Sequence, residues 1–433
     1  MKKNTSNRNR QRALPEEQFR ICDNVTDMNM DVIPVGHIPQ EGDVVYTESN
    51  VEIRIKKEIG QGGEGHVYYT NSPFLAKIYK PENITNRIKG KIELMLQKRI
   101  ECDGICYPVA ALYSRQKEFV GYLMPLAKGK ELQKCVFMPK LLSKNFPKWK
   151  KRDLVELSIT ILEKIEYLHD RNIIVGDINP NNILVVSQNE VYIVDTDSFQ
   201  IENYPCPVGT VNFTAPEIQR QHFGGFLRTK GNENFAVATL LFMLMLPGKP
   251  PYAQQGGEDQ VSNIIKMDFS YPYGGESNKK TPDGPWRYMW SHLDTKIKEK
   301  FYETFRKGGK YSEESSRLSV SDWISAFKNY LGALDSGEMG SFDAMSEKIF
   351  PERTKKWRAD VELINCRICG REEIKEYCRK GVCSNCTRKT MGLTCMECGC
   401  KFKISKEEYL FFTKPGYSLP KRCPSCRKNR SYY

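Results

Sequence analysis

No apolar run in this 433-residue chain is long enough to cross a bilayer. The longest, FAVATLLFMLML from Phe235 to Leu246, has 12 residues, against about 20 for a spanning helix. It reads instead as a helix buried on all sides of a large domain. The first residues, MKKNTSNRNRQR, are basic, but no apolar stretch follows them. A secretory signal is therefore not expected, and a cytoplasmic protein is. Internal repeats are absent apart from four C-x-x-C units near the end. Cysteine is sparse before residue 207, where only five of the 15 occur, and these five suit small buried hydrophobes in a reducing compartment. What is present is the composition of a soluble globular protein, 39% hydrophobic and 27% charged, at a length that suits two or three domains.

Residues 1–43 are polar without a sustained period and read as a loose arm or an edge embellishment. From Val51 the stretch VEIRIKKEIG alternates, glycines follow, and FLAKIYK continues: strand, tight turn, strand. NRIKGKIELMLQKRI has helical spacing, FVGYLMPL reads as a strand, and LVELSITILEKIEYLHDR is a strong amphipathic helix. Two short strands, NILVV and VYIVD, come next, and residues 215–330 are largely helical. The expected order is a small β-rich lobe and a larger helical lobe that together span 44–330, a linker over 331–365 and a cysteine module over 366–433. The fold class is α+β.

Gly60, Gly62 and Gly65 in GQGGEGHV, with Val67 after them, form G-x-G-x-x-G-x-V. Glycines let a backbone turn sharply and bring its N–H groups close to phosphate oxygens. A dinucleotide fold would continue as a helix, whereas HVYY continues as a strand. Lys77 lies in the next strand; pointing inward, it offers a positive charge beneath the loop and needs a carboxylate to hold it. Glu93 is the candidate, with Glu82 the alternative. Asp177 and Asn182 stand five residues apart, and Asp195 ends the strand VYIVD. A carboxylate and an amide oxygen are hard ligands suited to Mg²⁺. A metal-free carboxylate can accept a hydroxyl proton. Each alone fits a turn-capping residue; loop, lysine and both spacings together do not.

On these residues the stretch from about 46 to 330 resembles the eukaryotic-type protein kinase superfamily. The resemblance implies a two-lobed fold in which Gly60, Gly62, Gly65 and Val67 cover the ATP phosphates and Lys77 contacts them. It makes Asp177 the catalytic base, Asn182 and Asp195 the Mg²⁺ ligands, and Met124 to Ala127 the adenine-binding hinge. In GTVNFTAPE, Glu217 would pair with the buried Arg317 of SSRLSV, and Thr210 points to serine/threonine specificity. Several positions depart from the pattern: Val175 and Gly176 replace His-Arg, Asn179 replaces a lysine, Thr196-Asp197 replaces Phe-Gly, and Glu233 replaces Asp. A pseudokinase scaffold acting through the cysteine module is the alternative function. GDINPNN, DTDSF and DGPWRYMWSHL resemble a bacterial branch associated with tellurite-resistance-type gene clusters. That branch implies a von Willebrand A domain protein and a metal-dependent phosphatase as partners.

The remaining ten cysteines fall between Cys366 and Cys426. Four pairs, Cys366/Cys369, Cys383/Cys386, Cys395/Cys398 and Cys423/Cys426, each present two sulfurs to one metal, so two zinc ribbons are expected. Sequential and cross-braced pairing both satisfy the spacing, and an iron–sulfur cluster is the other chemistry such thiolates support. Cys378 and Cys400 are left over and could replace a neighbouring ligand. From residue 366 on there are 16 Lys+Arg against 6 Asp+Glu, +10 of the chain's +13. Such a basic tail suits nucleic acid, but two four-thiolate zinc sites would absorb part of that charge, so a protein partner is the preferred expectation.

Overall fold

A computed structural model describes residues 18–336 except 257, 275–278 and 283–285. It also describes residues 363–367, 372–375, 378, 381–382, 392–404 and 419–428. The chain divides into two compact units, residues 1–355 and 356–433.

In the first unit six antiparallel strands close a barrel in the order β1-β2-β3-β4-β6-β5. They are β1 (Val44–Thr47), β2 (Glu52–Gln61), β3 (Gly65–Thr70), β4 (Phe74–Tyr79), β5 (Ala110–Tyr113) and β6 (Phe119–Pro125). The alternation in β2 buries Ile53 and Ile55, one face of a period-two strand turned to the core. Helix α1 (Asn86–Gln97) leaves β4; Thr85 caps it, its hydroxyl accepting the Ile88 N–H, and Ile92 and Met95 bury its inner face.

The helical part is centred on α5 (Lys230–Met245), every residue of which is buried from Asn232 to Met245. That is why its sequence lacks a polar face. Phe242 on α5 meets Tyr271, Phe301 and Phe305 edge-on, the arrangement aromatic rings prefer. The amphipathic α4 (Lys151–His169) packs between α5 and the last described helix of that unit, Val320–Ser336. That helix runs past residue 330, to Ser336. Short strands carry the functional loops: Ile173–Ile174 precedes residues 175–182, Ile183–Ser187 and Glu190–Ile193 form a hairpin, and a 3₁₀ turn, Thr196–Ser198, follows it.

The described N-terminal residues, 18–43, are tied to later parts of the first unit. Phe19 is buried, its N–H donating to the Arg171 carbonyl (3.2 Å), and Ile33 donates to the Ile84 carbonyl (2.7 Å). Arg20 pairs with Glu202 at 2.8 Å. The second unit contains two antiparallel hairpins, Leu363–Asn365 with Glu372–Ile374 and Gly392–Thr394 with Lys401–Lys403, and a short helix, Pro424–Lys428. Among the described residues no helix is long and apolar enough to cross a membrane.

Candidate active site

Strands β2 and β3 are joined by the glycine turn, where the Gly62 N–H donates to the Gly65 carbonyl at 2.9 Å. A Cβ on Gly65 would lie 2.3 Å from the Ile78 carbonyl oxygen, so the close approach of β3 to β4 requires glycine there. Val67 stands opposite Lys77 in the β3–β4 register, and Tyr122 stands opposite it on β6. Met124 is buried near the end of β6, and Ala127 lies half-buried just beyond it.

Lys77 points inward, only 7% of its side chain exposed. Its ammonium donates to Asp195 (2.9 Å), to Glu64 of the glycine turn (3.0 Å), and to both oxygens of Asp197 (2.8 and 2.7 Å). Burial pulls the Lys77 pKa down, but Asp197 and the other anions outweigh it, and the result lies well above the ordinary lysine value. Asp197 also accepts hydrogen bonds from Tyr79 (2.7 Å) and Tyr122 (2.8 Å). Burial raises its carboxyl pKa, but Lys77 and the two phenols more than compensate and hold it below the usual range.

Glu93, expected to hold Lys77, does not. It lies on the outer side of α1, 44% exposed, beside Lys89 at 3.9 Å. Glu82 is exposed as well. The residue of α1 buried near the cluster is instead Lys91, whose pKa burial lowers while Cys206, Asp197, Glu64 and Asp195 act to raise it. Sequence reasoning missed this substitution of partners. The available signal was the acidic residue two places after Asp195 in DTDSF.

Asp177 is half-buried in the loop after Ile174, and three neutral groups orient it. Asn179 donates to Oδ2 at 2.6 Å, Thr210 donates to Oδ1 at 3.0 Å, and the Asn182 amide nitrogen lies 3.5 Å from Oδ2. The loop itself is hung from α5: buried Glu233 accepts the N–H groups of Val175 (3.0 Å) and Gly176 (2.5 Å) and the ring nitrogen of His169 (2.8 Å). Glutamate at 233 therefore still anchors the loop backbone. Gly176 has φ +75, and a Cβ there would sit 2.4 Å from that of Cys206. Arg228, buried, donates to the Gly176 and Val208 carbonyls. The space beside the loop is thus already filled by Cys206 and an arginine from another segment.

Asp195 has left-handed backbone angles, φ 60 and ψ 41, a strained state for a non-glycine residue that clusters at functional sites. Thr196 is buried and donates to the Cys106 carbonyl at 2.9 Å. Glu217 and Arg317 form a two-pronged ion pair at 2.6 and 2.8 Å, with Arg317 also donating to the Gly231 carbonyl at 3.0 Å. The site thus brings Lys77 to Asp195, with Gly65 and Val67 on the neighbouring strand β3, Gly60 paired to Val67, Gly62 in the turn between them, and Asp177 with Asn182 on the loop after Ile174.

In the second unit the sulfurs of Cys395, Cys398, Cys400 and Cys423 lie within 4.8 Å of one another. Members of the third and fourth C-x-x-C pairs therefore meet, as in sequential pairing, and the leftover Cys400 joins them. The Cys426 N–H approaches the Cys423 sulfur at 3.5 Å. Hydrogen bonds from the backbone, that of Cys423 first, bring the Cys395 thiol down to about 6. Four convergent sulfurs, one readily ionised, form a donor set that fits a tetrahedral thiophilic metal. Of the other group, Cys366 is buried and Cys378 half-buried; Cys369, Cys383 and Cys386 lie outside the described residues.

Residues 53–318 match the family described as "Protein kinase domain". With most of the first unit inside that match, the chain belongs to the protein kinase family. It is similar to "Protein kinase YegI" of Escherichia coli O157:H7, 28% identical over 295 residues, covering 65% of this chain and 45% of that protein. The K12 strain's protein of the same name is 27% identical over 297 residues, with the same coverage. The "Serine/threonine-protein kinase AtPK1/AtPK6" of Arabidopsis thaliana is 28% identical over 250 residues, 54% of this chain and 50% of that one. The chain spans about half the length of these curated relatives.

Proposed function

We propose that this chain is an ATP- and Mg²⁺-dependent protein kinase directed to serine or threonine, with a C-terminal zinc module that recruits a protein partner. The observation that carries the reading is the convergence of Lys77 with Asp195, 2.9 Å apart although 118 residues separate them in sequence. Phosphoryl transfer leaves little covalent work to a protein; it needs positioning and neutralised charge. Lys77 binds the α- and β-phosphates. Asp195 and the Asn182 amide oxygen would hold Mg²⁺, whose charge would offset that of the transferring phosphate. Asp177, its carboxylate fixed by Asn179 and Thr210, accepts the proton of the attacking hydroxyl. The Thr210 hydroxyl already bonded to Asp177 at 3.0 Å supports a hydroxyl acceptor at that oxygen. Asn179 orients Asp177 as a neutral donor, so it cannot replace the missing lysine charge.

A pseudokinase scaffold is the second reading, favoured by one observation: Glu64 already sits on Lys77 at 3.0 Å, where nucleotide must displace it. Full-length protein incubated with labelled ATP and Mg²⁺, beside Asp177→Ala and Asp195→Ala, separates the two. We expect label in the unaltered chain to exceed that in either variant by at least about 100-fold. Equal label in all three makes the chain a scaffold. The branch resemblance supports a von Willebrand A domain protein and a metal-dependent phosphatase as partners.

A further inference from the structure

Lys77 has a carboxylate partner that is not on a helix. The helix beside it, α1, turns Glu93 to solvent and buries Lys91 on the side nearer the cluster. A helix that presents an ammonium there cannot supply the counter-charge. Asp197 stands in that role with its hydrogen bonding complete: both oxygens take the ammonium, one also takes the Tyr79 hydroxyl, and the other takes that of Tyr122. Burial and the charge of Asp197 push both phenols well above their ordinary range, so they remain donors.

We infer that Asp197 is the positioning residue of the phosphate-binding lysine, a role that α1 does not share. The inference rests on the reading of Lys77 as a phosphate contact. Asp195 and Asp197 belong to one turn, closed by the Ser198 N–H on the Asp195 carbonyl at 3.2 Å. The lysine anchor and the metal-side carboxylate are therefore set by the same few backbone angles. A shift of α1 leaves the lysine in place, whereas a shift of the 195–198 turn moves both groups at once.

The groups facing the ammonium are Glu64 of the glycine turn, Asp195 and Asp197 of the 195–198 turn, Tyr79 of its own strand and Tyr122 of β6, while Lys91 of α1 acts on the same carboxylates. Removing one negative charge among them changes the proton affinity of Lys77 whether or not the chain transfers phosphate. The test is competitive acetylation of the full chain by acetic anhydride across pH, with Lys77 followed by peptide mass spectrometry. Unaltered protein, Asp197→Asn, Asp197→Glu and Glu93→Gln are compared, alongside KM for ATP.

In Asp197→Asn the labelling inflection of Lys77 moves to lower pH by about one unit or more, a tenfold gain in reactivity at fixed pH. KM for ATP rises about tenfold or more, as an interaction with bound nucleotide is lost. Asp197→Glu recovers part of both changes, and Glu93→Gln matches the unaltered chain. Should Asp197→Asn fail to fold, Asp197→Ser removes the same charge with a smaller side chain and moves the inflection the same way. An inflection unmoved in Asp197→Asn, or moved in Glu93→Gln, overturns the inference. A chain without phosphotransfer whose inflection still moves refutes the kinase reading and leaves the anchor standing.

Discussion

The first unit buries Trp323, Phe242, Phe301 and Phe305 among dozens of apolar side chains, whereas the described part of the second buries only Val382, Phe402 and Ile404 beside its cysteines. Two ways of holding a chain in one shape follow from that difference. A unit of this second size rarely gathers enough apolar contact to be stable alone. A metal bound by its four clustered sulfurs would supply the folding free energy that a core supplies in the other unit.

The largest effect that can test this contrast is metal removal. Structural zinc is worth about 10–16 kcal/mol in small cysteine modules, so a strong chelator should leave residues beyond 362 open to trypsin. Four of the five tryptophans precede residue 356, and the thermal transition they report should stay put. A joint collapse of both units would break the contrast.

The next effect belongs to the first unit. Arg317→Ala strips the partner from a carboxylate 32% exposed and should cost about 1–3 kcal/mol in urea unfolding, with metal content unchanged. Burial raises the Glu217 pKa, but Arg317 outweighs it, and the value lies below the ordinary 4.5. A depressed carboxylate stabilises the folded chain above its ordinary pKa, and this is lost as pH falls through the folded value. The acid-side loss of stability below about pH 4.5 should therefore be shallower in Arg317→Ala than in the unaltered protein. The smallest effect is local: Thr85→Ala removes the cap of α1 and should cost about 1 kcal/mol, read as a small drop in the same transition.

Residues whose placement is fixed by short spacing were legible in the sequence. Lys77, Asp177, Asn182 and Asp195 sit on strands and on the loops between them, where a few residues of chain determine where a side chain points. The Glu217–Arg317 pair, 100 residues apart, was reachable only through the family resemblance. The Lys77 partner was misread because a helix has a phase. Ile92 and Met95 mark the inner face of α1, and Glu93, about 100° round from Ile92, falls outside it. Asp197 was noticed as a departure, but its partners Lys77, Tyr79 and Tyr122 come from two strands about 75–120 residues earlier, a convergence that no local pattern encodes. Cys400, one of the four clustered sulfurs, was named only as a possible replacement ligand because it breaks the paired spacing that drew attention to its neighbours.

Gly176 carries a last consequence. Putting back the arginine common in the family would look like a repair, yet the room it needs holds the Cys206 side chain and the Arg228 guanidinium. The three positions form one lock, and turning any single tumbler jams it. A path back to the ordinary loop has to clear 206 and 228 before it reaches 176, so a one-residue reversion should behave as an injury.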